Sequence, residues 1–168
     1  MKFAIGQDSH AFLKEYDSDS PLVIGGVVLP EQYSFSANSD GDVLLHALTN
    51  AVSGITCKNI LGAPADELCR QGIKDSAEYL KLALRDLGEA GFSVSHVSFS
   101  VEAKVPKLAP YIDGIRKNVA ALLGISPSCV GLTATTGEGL TAFGRGEGMQ
   151  VFCCLSVVRR RKGAVRSR

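Results

Sequence analysis

Asp8-Ser9-His10 sets a carboxylate and an imidazole two residues apart. On a strand, residues two apart face the same side, so Asp8 and His10 present two metal-type donors together. Zinc accepts histidine nitrogen and carboxylate oxygen, and a catalytic zinc takes three protein ligands and keeps one position open. The chain has three histidines. His46, four residues after Asp42 on a predicted helix face, is the natural partner of His10. His96, next to Ser95 at a strand entrance, reads as structural or surface. A lone D-x-H also fits a surface aspartate beside a hydrogen-bonded histidine.

A second group is T-A-T-T-G-E (Thr133 to Glu138), followed by F-G-R-G-E-G (Phe143 to Gly148). Backbone amides in a glycine-rich turn, with threonine hydroxyls, can hold phosphate oxygens. Glu138 could carry a hard cation such as Mg²⁺, which prefers oxygen ligands and substrate phosphates. Arg145 could pair bidentately with phosphate, or could form a structural ion pair with Glu147. The G-x-x-x-x-G-K-[ST] spacing of a P-loop is absent. A third group is A-K-V-P-K-L-A-P (Ala103 to Pro110). Pro106 and Pro110 fix its backbone, leaving Lys107 on a rigid turn where it could meet a phosphate or simply face solvent.

The elements that must position these groups follow from pattern. Phe3 to His10 reads as a strand, and LVIGGVVLP as a second strand region punctuated by Gly25, Gly26 and Pro30. Ser39 and Asp42 form a capping-box pair opening a helix to about Ile55. Residues 56–74 read as an irregular loop. Asp75 opens a helix with Leu80, Ala83, Leu84 and Leu87 at helical spacing, stopped by Gly91. Val97, Phe99, Val101 and Ala103 alternate as a strand. A third helix carries Ile112, Ile115, Val119 and Leu122, and Val130, Leu132 and Ala134 alternate again. After the glycine-rich loop, Met149 to Val158 is apolar on both faces, which predicts a central strand or one buried between two layers. The order predicts an α/β (α+β) sandwich, with helices packed on one face of a mixed sheet.

The 168 residues make one domain's worth of chain, long enough to bury a full core. At 45% hydrophobic, disorder is excluded as the dominant state. No run of about 18 apolar residues predicts a membrane span. The first apolar stretch is cut by Gly6, Gln7 and Asp8, too short for a secretory core; a soluble, cytoplasmic protein is expected. The five cysteines are odd in number and lack CxxC spacing, so free, mostly buried thiols are expected. Six of the 18 basic residues fall in 159–168, leaving residues 1–158 with 12 basic and 17 acidic groups, a net of −5. That distribution argues against a nucleic-acid-binding face. It predicts one domain over 1–158 with a basic, flexible tail.

These pieces occur together and in order. D-S-H, I-G-G-V (Ile24 to Val27), S-D-G-D-V-L-L-H-A-L-T (Ser39 to Thr49), A-K-V-P-K-L, T-A-T-T-G-E and G-R-G-E-G resemble the 2-C-methyl-D-erythritol 2,4-cyclodiphosphate synthase family over residues 3–158. The resemblance implies a homotrimer whose sheets face the three-fold axis, with active sites between adjacent subunits. It implies conversion of 4-diphosphocytidyl-2-C-methyl-D-erythritol 2-phosphate to the cyclic diphosphate and CMP, in non-mevalonate isoprenoid biosynthesis. Asp8, His10 and His46 would then hold Zn²⁺ or another divalent metal, and Mg²⁺ or Mn²⁺ would bridge the diphosphate near Glu138. Ala103 to Ala109, including Pro106, Lys107 and Leu108, with Thr135, Thr136 and Gly137, would form the cytidine diphosphate pocket. Asn38 and Ser39 would contact the erythritol phosphate, and Thr136 would steady the charge developing on the transferring phosphorus.

The chain departs from the family pattern in places. Asn38 stands where the family usually has histidine, which leaves a neutral hydrogen-bonding group in place of a charge. Asn50 and Asn59 replace aspartates, the block around Lys58 to Asp66 is divergent, and Gly137 replaces a threonine. Two other readings use the same residues: a zinc-dependent phosphoesterase, and a trimeric cytidine-nucleotide-binding protein without turnover.

Overall fold

The computed structural model describes residues 1–160. Strand β1 spans Lys2–Ala11, and β2 (Val23–Ile24) and β3 (Val27–Val28) form a small hairpin. Its two-residue turn is Gly25-Gly26, both at positive φ, the backbone a tight hairpin requires and glycine alone adopts freely. Helices α1 (Val43–Thr56), α2 (Ala63–Arg70) and α3 (Ser76–Glu89) follow, then β4 (Phe92–Glu102), α4 (Ile112–Leu123), β5 (Val130–Thr135), the short α5 (Ala142–Arg145) and β6 (Gly148–Arg159).

The main sheet runs β1-β6-β4-β5. β6 is antiparallel to both neighbours, and β4 and β5 are parallel, so the sheet is mixed as expected. Helices cover one face. On that side Val151, Cys153, Leu155 and Val157 of β6 are buried against α1, whose Leu44, Leu45, Leu48 and Val52 are fully buried, and Val97, Phe99 and Val101 of β4 are buried beside them. Fully burying such a side chain contributes about 1.5–3 kcal/mol, so this layer is the main source of cohesion.

β6 is central, but within one chain only one of its faces is covered. Strict alternation puts Phe152, Cys154 and Val158 on the open face, beside Phe3 and Ile5 of β1, which are 82% and 66% exposed. Of the two alternatives expected for this strand, the central position is the one seen. β4 begins five residues before the alternation from Val97 suggests. Val94 and Val97, three apart, are both buried, and a bulge between Val94 and His96 absorbs the slip in phase. His96 is exposed at that bulge, in mid-strand and not at an entrance.

The interval 56–74 is not all loop. Gly62 opens α2, Pro64 sits in its first turn, and Arg70 pairs with Glu67 at 2.8 Å. Only Ala65 of this helix is buried, so it carries too short an apolar stripe to be read from periodicity. The five cysteines are free, yet only Cys153 is buried; Cys57 and Cys154 are exposed. Arg159 closes β6, with its guanidinium 5.5 Å from the centre of the Phe92 ring. The expected tail thus begins inside the sheet, and its residues 161–168 lie outside the described residues. No helix among the described residues is long and apolar enough to cross a membrane.

The start of α1 differs from the capping box in a way that matters. Asp42, not Ser39, is the N-cap: its carboxylate accepts from the Leu44 and Leu45 N–H groups at 3.1 and 2.9 Å. It also accepts from Gly25 and Gly26 of the β2–β3 turn, at 2.9 and 2.5 Å. Asp42 is fully buried and so does not share an open face with His46. Burial pushes its carboxyl up to about 6, against the opposing pull of the Leu45, Gly26 and Gly25 N–H groups. Asp42→Ala strands four donors, three of them buried, each buried one costing about 1–3 kcal/mol when unsatisfied. A loss of about 3–5 kcal/mol is expected in urea unfolding, whereas Asp42→Asn, which keeps an acceptor oxygen, loses distinctly less.

Candidate active site

Along β1 the side chains alternate, and Ala4, Gly6, Asp8 and His10 turn toward the helical layer. Gly6 is buried against α1: a Cβ there would overlap the Ala47 carbonyl oxygen and the Ala51 backbone nitrogen. The missing side chain lets α1 lie directly on the strand, and His46, one turn into α1, then reaches Asp8 and His10.

The three meet in a tight triangle. His46 Nδ1 lies 3.1 Å from Asp8 Oδ2 and 3.1 Å from His10 Nε2, and His10 Nε2 lies 3.2 Å from Asp8 Oδ2. These three atoms are the one cluster of potential ligands of its kind among the described residues. A tetrahedral zinc with ligand distances of about 2.0–2.1 Å sets its ligand atoms about 3.3 Å apart, so the observed edges fit such an ion without rearrangement. Burial pushes the Asp8 carboxyl up, but hydrogen bonds to His10 and His46 and their charge outweigh it and hold it well below the usual carboxylate range. Asp8 is thus ionised wherever the protein is folded near neutrality, the state a metal ligand needs. The His10 ring rests 5.6 Å from the Phe35 ring, and His46 stacks 6.2 Å from Tyr79.

A cavity of about 430 Å³ opens over this triangle, lined among others by Asn38, Ser39, Asn50, Asp66 and Cys69. Asn38 and Ser39 therefore stand beside the metal-type donors, as the family resemblance implies. Asn50 donates its amide to the Gln7 carbonyl at 3.0 Å, a bond an aspartate could not make. Asn59 is exposed and does not line the cavity; Asp66, from α2, does. The Cys69 thiol donates to the Asn38 carbonyl at 3.2 Å. No apolar stripe marks the helix that carries Asp66 and Cys69, so the sequence does not announce them.

The phosphate-type residues gather elsewhere. Lys104, Lys107, Thr136, Glu138, Gly139 and Gly144 line a second cavity of about 360 Å³. The turn behind it is packed closely. Gly137, at φ 66°, leaves no room for a side chain against Glu102, and the Glu102 carboxylate accepts from the Thr141 hydroxyl. Glu138 itself is left-handed at φ 51°, a conformation that costs a non-glycine residue energy and tends to mark functional turns. Its carboxylate accepts from the Thr136 hydroxyl at 3.3 Å. Thr135 is exposed at the end of β5. Ala103, Pro106 and Leu108 are buried, which leaves only their backbone to a ligand, and Ala109 is exposed. Arg145 lies outside this lining and pairs with Glu147 at 2.8 Å, the structural alternative for that motif.

The sheet register fixes the spacing of the two groups. Ser9 pairs with Gln150, Gln150 with Glu102, and Glu102 with Thr135. They sit at one level of the sheet but three strand spacings apart, about 14 Å.

Comparison with known proteins agrees with this architecture. The YgbB family model matches residues 1–158. A 2-C-methyl-D-erythritol 2,4-cyclodiphosphate synthase from Chlamydia muridarum is 48% identical over 158 residues, covering 94% of this chain and 88% of that protein. The crystal structure of a synthase of the same name from Plasmodium vivax superposes with a TM-score of 0.79 at 29% identity, covering 95% of this chain and 99% of that one. A further structure of such a synthase, in a form bound to CDP, gives a TM-score of 0.80 at 26% identity and covers 94% of this chain and all of the other. With the family model matching residues 1–158 and a relative 48% identical over 94% of its length, the chain belongs to the YgbB family.

Proposed function

We propose that this protein is a 2-C-methyl-D-erythritol 2,4-cyclodiphosphate synthase, a lyase of isoprenoid biosynthesis. It converts 4-diphosphocytidyl-2-C-methyl-D-erythritol 2-phosphate to the cyclic diphosphate and CMP. The observation that carries the reading is the Asp8–His10–His46 triangle, set in a cavity beside Asn38 and Ser39, in a chain 48% identical to a synthase of that name. A relative's CDP-bound form supports a cytidine nucleotide as the ligand of the second cavity.

In the reaction an oxygen of the 2-phosphate forms a bond to the β-phosphorus, and the bond from that phosphorus to the bridging oxygen breaks. The electron pair leaves with CMP. The attacking phosphate is already ionised, so neither a general base nor a Ser-His-Asp nucleophile is needed. The barrier comes from bringing two polyanions together in line. Asp8, His10 and His46 would hold Zn²⁺ or another divalent ion, which when bound would neutralise phosphate charge as a Lewis acid. Glu138 would hold Mg²⁺ or Mn²⁺ with the diphosphate. Lys107 supplies positive charge, and the Thr135 and Thr136 hydroxyls with the Gly137 amide orient the nucleotide phosphates. Thr136 also steadies charge on the transferring phosphorus. Asn38 and Ser39 position the erythritol phosphate, Asn38 by a neutral hydrogen bond.

The two groups stand about 14 Å apart across the sheet, farther than one diphosphate spans. A homotrimer resolves this: the triangle of one subunit meets the Thr135–Glu138 turn of its neighbour. The apolar open face, with Phe3, Ile5 and Phe152, turns to the three-fold axis. Residues 1–158 form the single synthase domain, which works in the cytoplasm without nucleic acid or membrane, and the basic segment after it is dispensable.

The test is phosphorus NMR of the purified protein with the diphosphocytidyl substrate, zinc and magnesium. Resonances of a cyclic diphosphate and of CMP are expected in equal amounts. Release of inorganic phosphate without cyclisation would assign a phosphoesterase, and tight CDP binding without turnover a nucleotide-binding protein.

A further inference from the structure

His46 is held from behind as well as in front. Its Nε2 lies 2.8 Å from the Ser76 Oγ, and Ser76, the first residue of α3, is fully buried. The Ser76 hydroxyl donates to Asp40 Oδ1, and the Ser76 backbone N–H donates to Asp40 Oδ2 at 3.0 Å. Asp40 is fixed in turn by its own N–H, which donates to the Lys74 carbonyl at 2.9 Å. Among the described residues the one competing group near Nε2 is the Ser39 hydroxyl, at 3.5 Å, the outer limit of a hydrogen bond.

The proton count decides the roles. An ionised carboxylate only accepts, and a serine hydroxyl has one proton. Asp40 takes that proton, so toward His46 the Ser76 oxygen can only accept. With a divalent ion in the triangle, the ring would then carry its proton on Nε2 and leave its Nδ1 lone pair for the ion it shares with Asp8 and His10. Resting on the metal reading above, we infer that Asp40 and Ser76 are positioning residues that fix the tautomer and orientation of His46 so that Nδ1 is presented to a divalent cation. Two elements distant in sequence, the loop before α1 and the start of α3, thereby act on one ligand. Outer-shell partners of this kind raise ligand basicity and lock ring orientation.

The experiment measures zinc affinity of the full chain by chelator competition, for the unmodified protein, Ser76→Ala, Asp40→Ala and the double variant, with apo melting temperatures alongside. Each single variant is expected to bind zinc roughly 10- to 100-fold more weakly, and the double variant little worse than the weaker single, because both act through one relay. In the zinc-loaded unmodified chain, a slowly exchanging proton on His46 Nε2 is expected by NMR, and is lost in Ser76→Ala. Affinities within twofold of the unmodified chain, fully additive losses, or a rapidly exchanging Nε2 proton would each overturn the relay. An unmodified chain that binds no zinc or other divalent ion would overturn the metal reading itself, which separates the two failures.

Discussion

His46→Ala is expected to abolish metal binding and turnover together. The substitution removes one corner of a triangle whose edges are 3.1–3.2 Å and leaves Asp8 and His10 as a two-ligand site. A catalytic zinc needs three protein ligands. Loss of a ligand itself must cost more than the roughly 10- to 100-fold that an outer-shell change costs, so a fall of well over a hundredfold in zinc affinity is expected, with turnover falling at least as far. The fold should survive, because the side chain sits at the cavity wall and α1 is anchored by its leucines. Metal content by mass spectrometry and the phosphorus NMR assay read the two effects. Full turnover in a protein containing no metal would refute the ligand assignment.

Gly6→Ala should damage the site from a distance. Gly6 touches no ligand, yet an added methyl group would run into the Ala47 carbonyl oxygen and the Ala51 nitrogen of α1. Both are backbone atoms of a helix in the core, so neither can swing aside. Overpacking of this kind costs about 1–3 kcal/mol, and the upper end is expected here. Relief requires α1 to lift off β1, which withdraws His46 from Asp8 and His10. Urea unfolding should show the loss of stability, and a zinc titration should show weaker binding in the protein that remains folded. A variant with unchanged stability and unchanged zinc affinity would mean that the helix–strand contact does not set the triangle.

Much of this site is legible in the sequence because its parts are local. Asp8 and His10 face one side by strand alternation. Asp75 caps α3 as its pattern suggests, its carboxylate accepting from the Ala77 N–H at 2.8 Å, whereas Gly25-Gly26 splits what the pattern reads as one strand region into two short paired strands. The readings that moved share a cause. Asp42 and Ser39 both suit a cap, and only the packing of the β2–β3 turn on the helix start selects Asp42. Helix α2 buries a single alanine, so no stripe announces it, and Asp66 and Cys69 arrive in the cavity unforeseen. Arg145 reads equally as an anion ligand or an ion-pair partner, and in the ligand-free chain it pairs with Glu147 at 2.8 Å.

The residue types and their short-range spacing determined which chemistry this chain can carry: two nitrogens and a carboxylate for a divalent ion, and a glycine-threonine turn for phosphates. Those are properties of side chains and of backbone periodicity, and they need no neighbours. What tertiary structure decided is which of these groups meet. Gly6 lets α1 settle on β1 and brings residue 46 to residues 8 and 10. The strand order β1-β6-β4-β5 holds the phosphate turn three strands away. Ser76, thirty residues beyond His46, closes behind its ring. Contacts of that kind depend on how layers pack and strands order across long stretches of chain, and no local pattern encodes them.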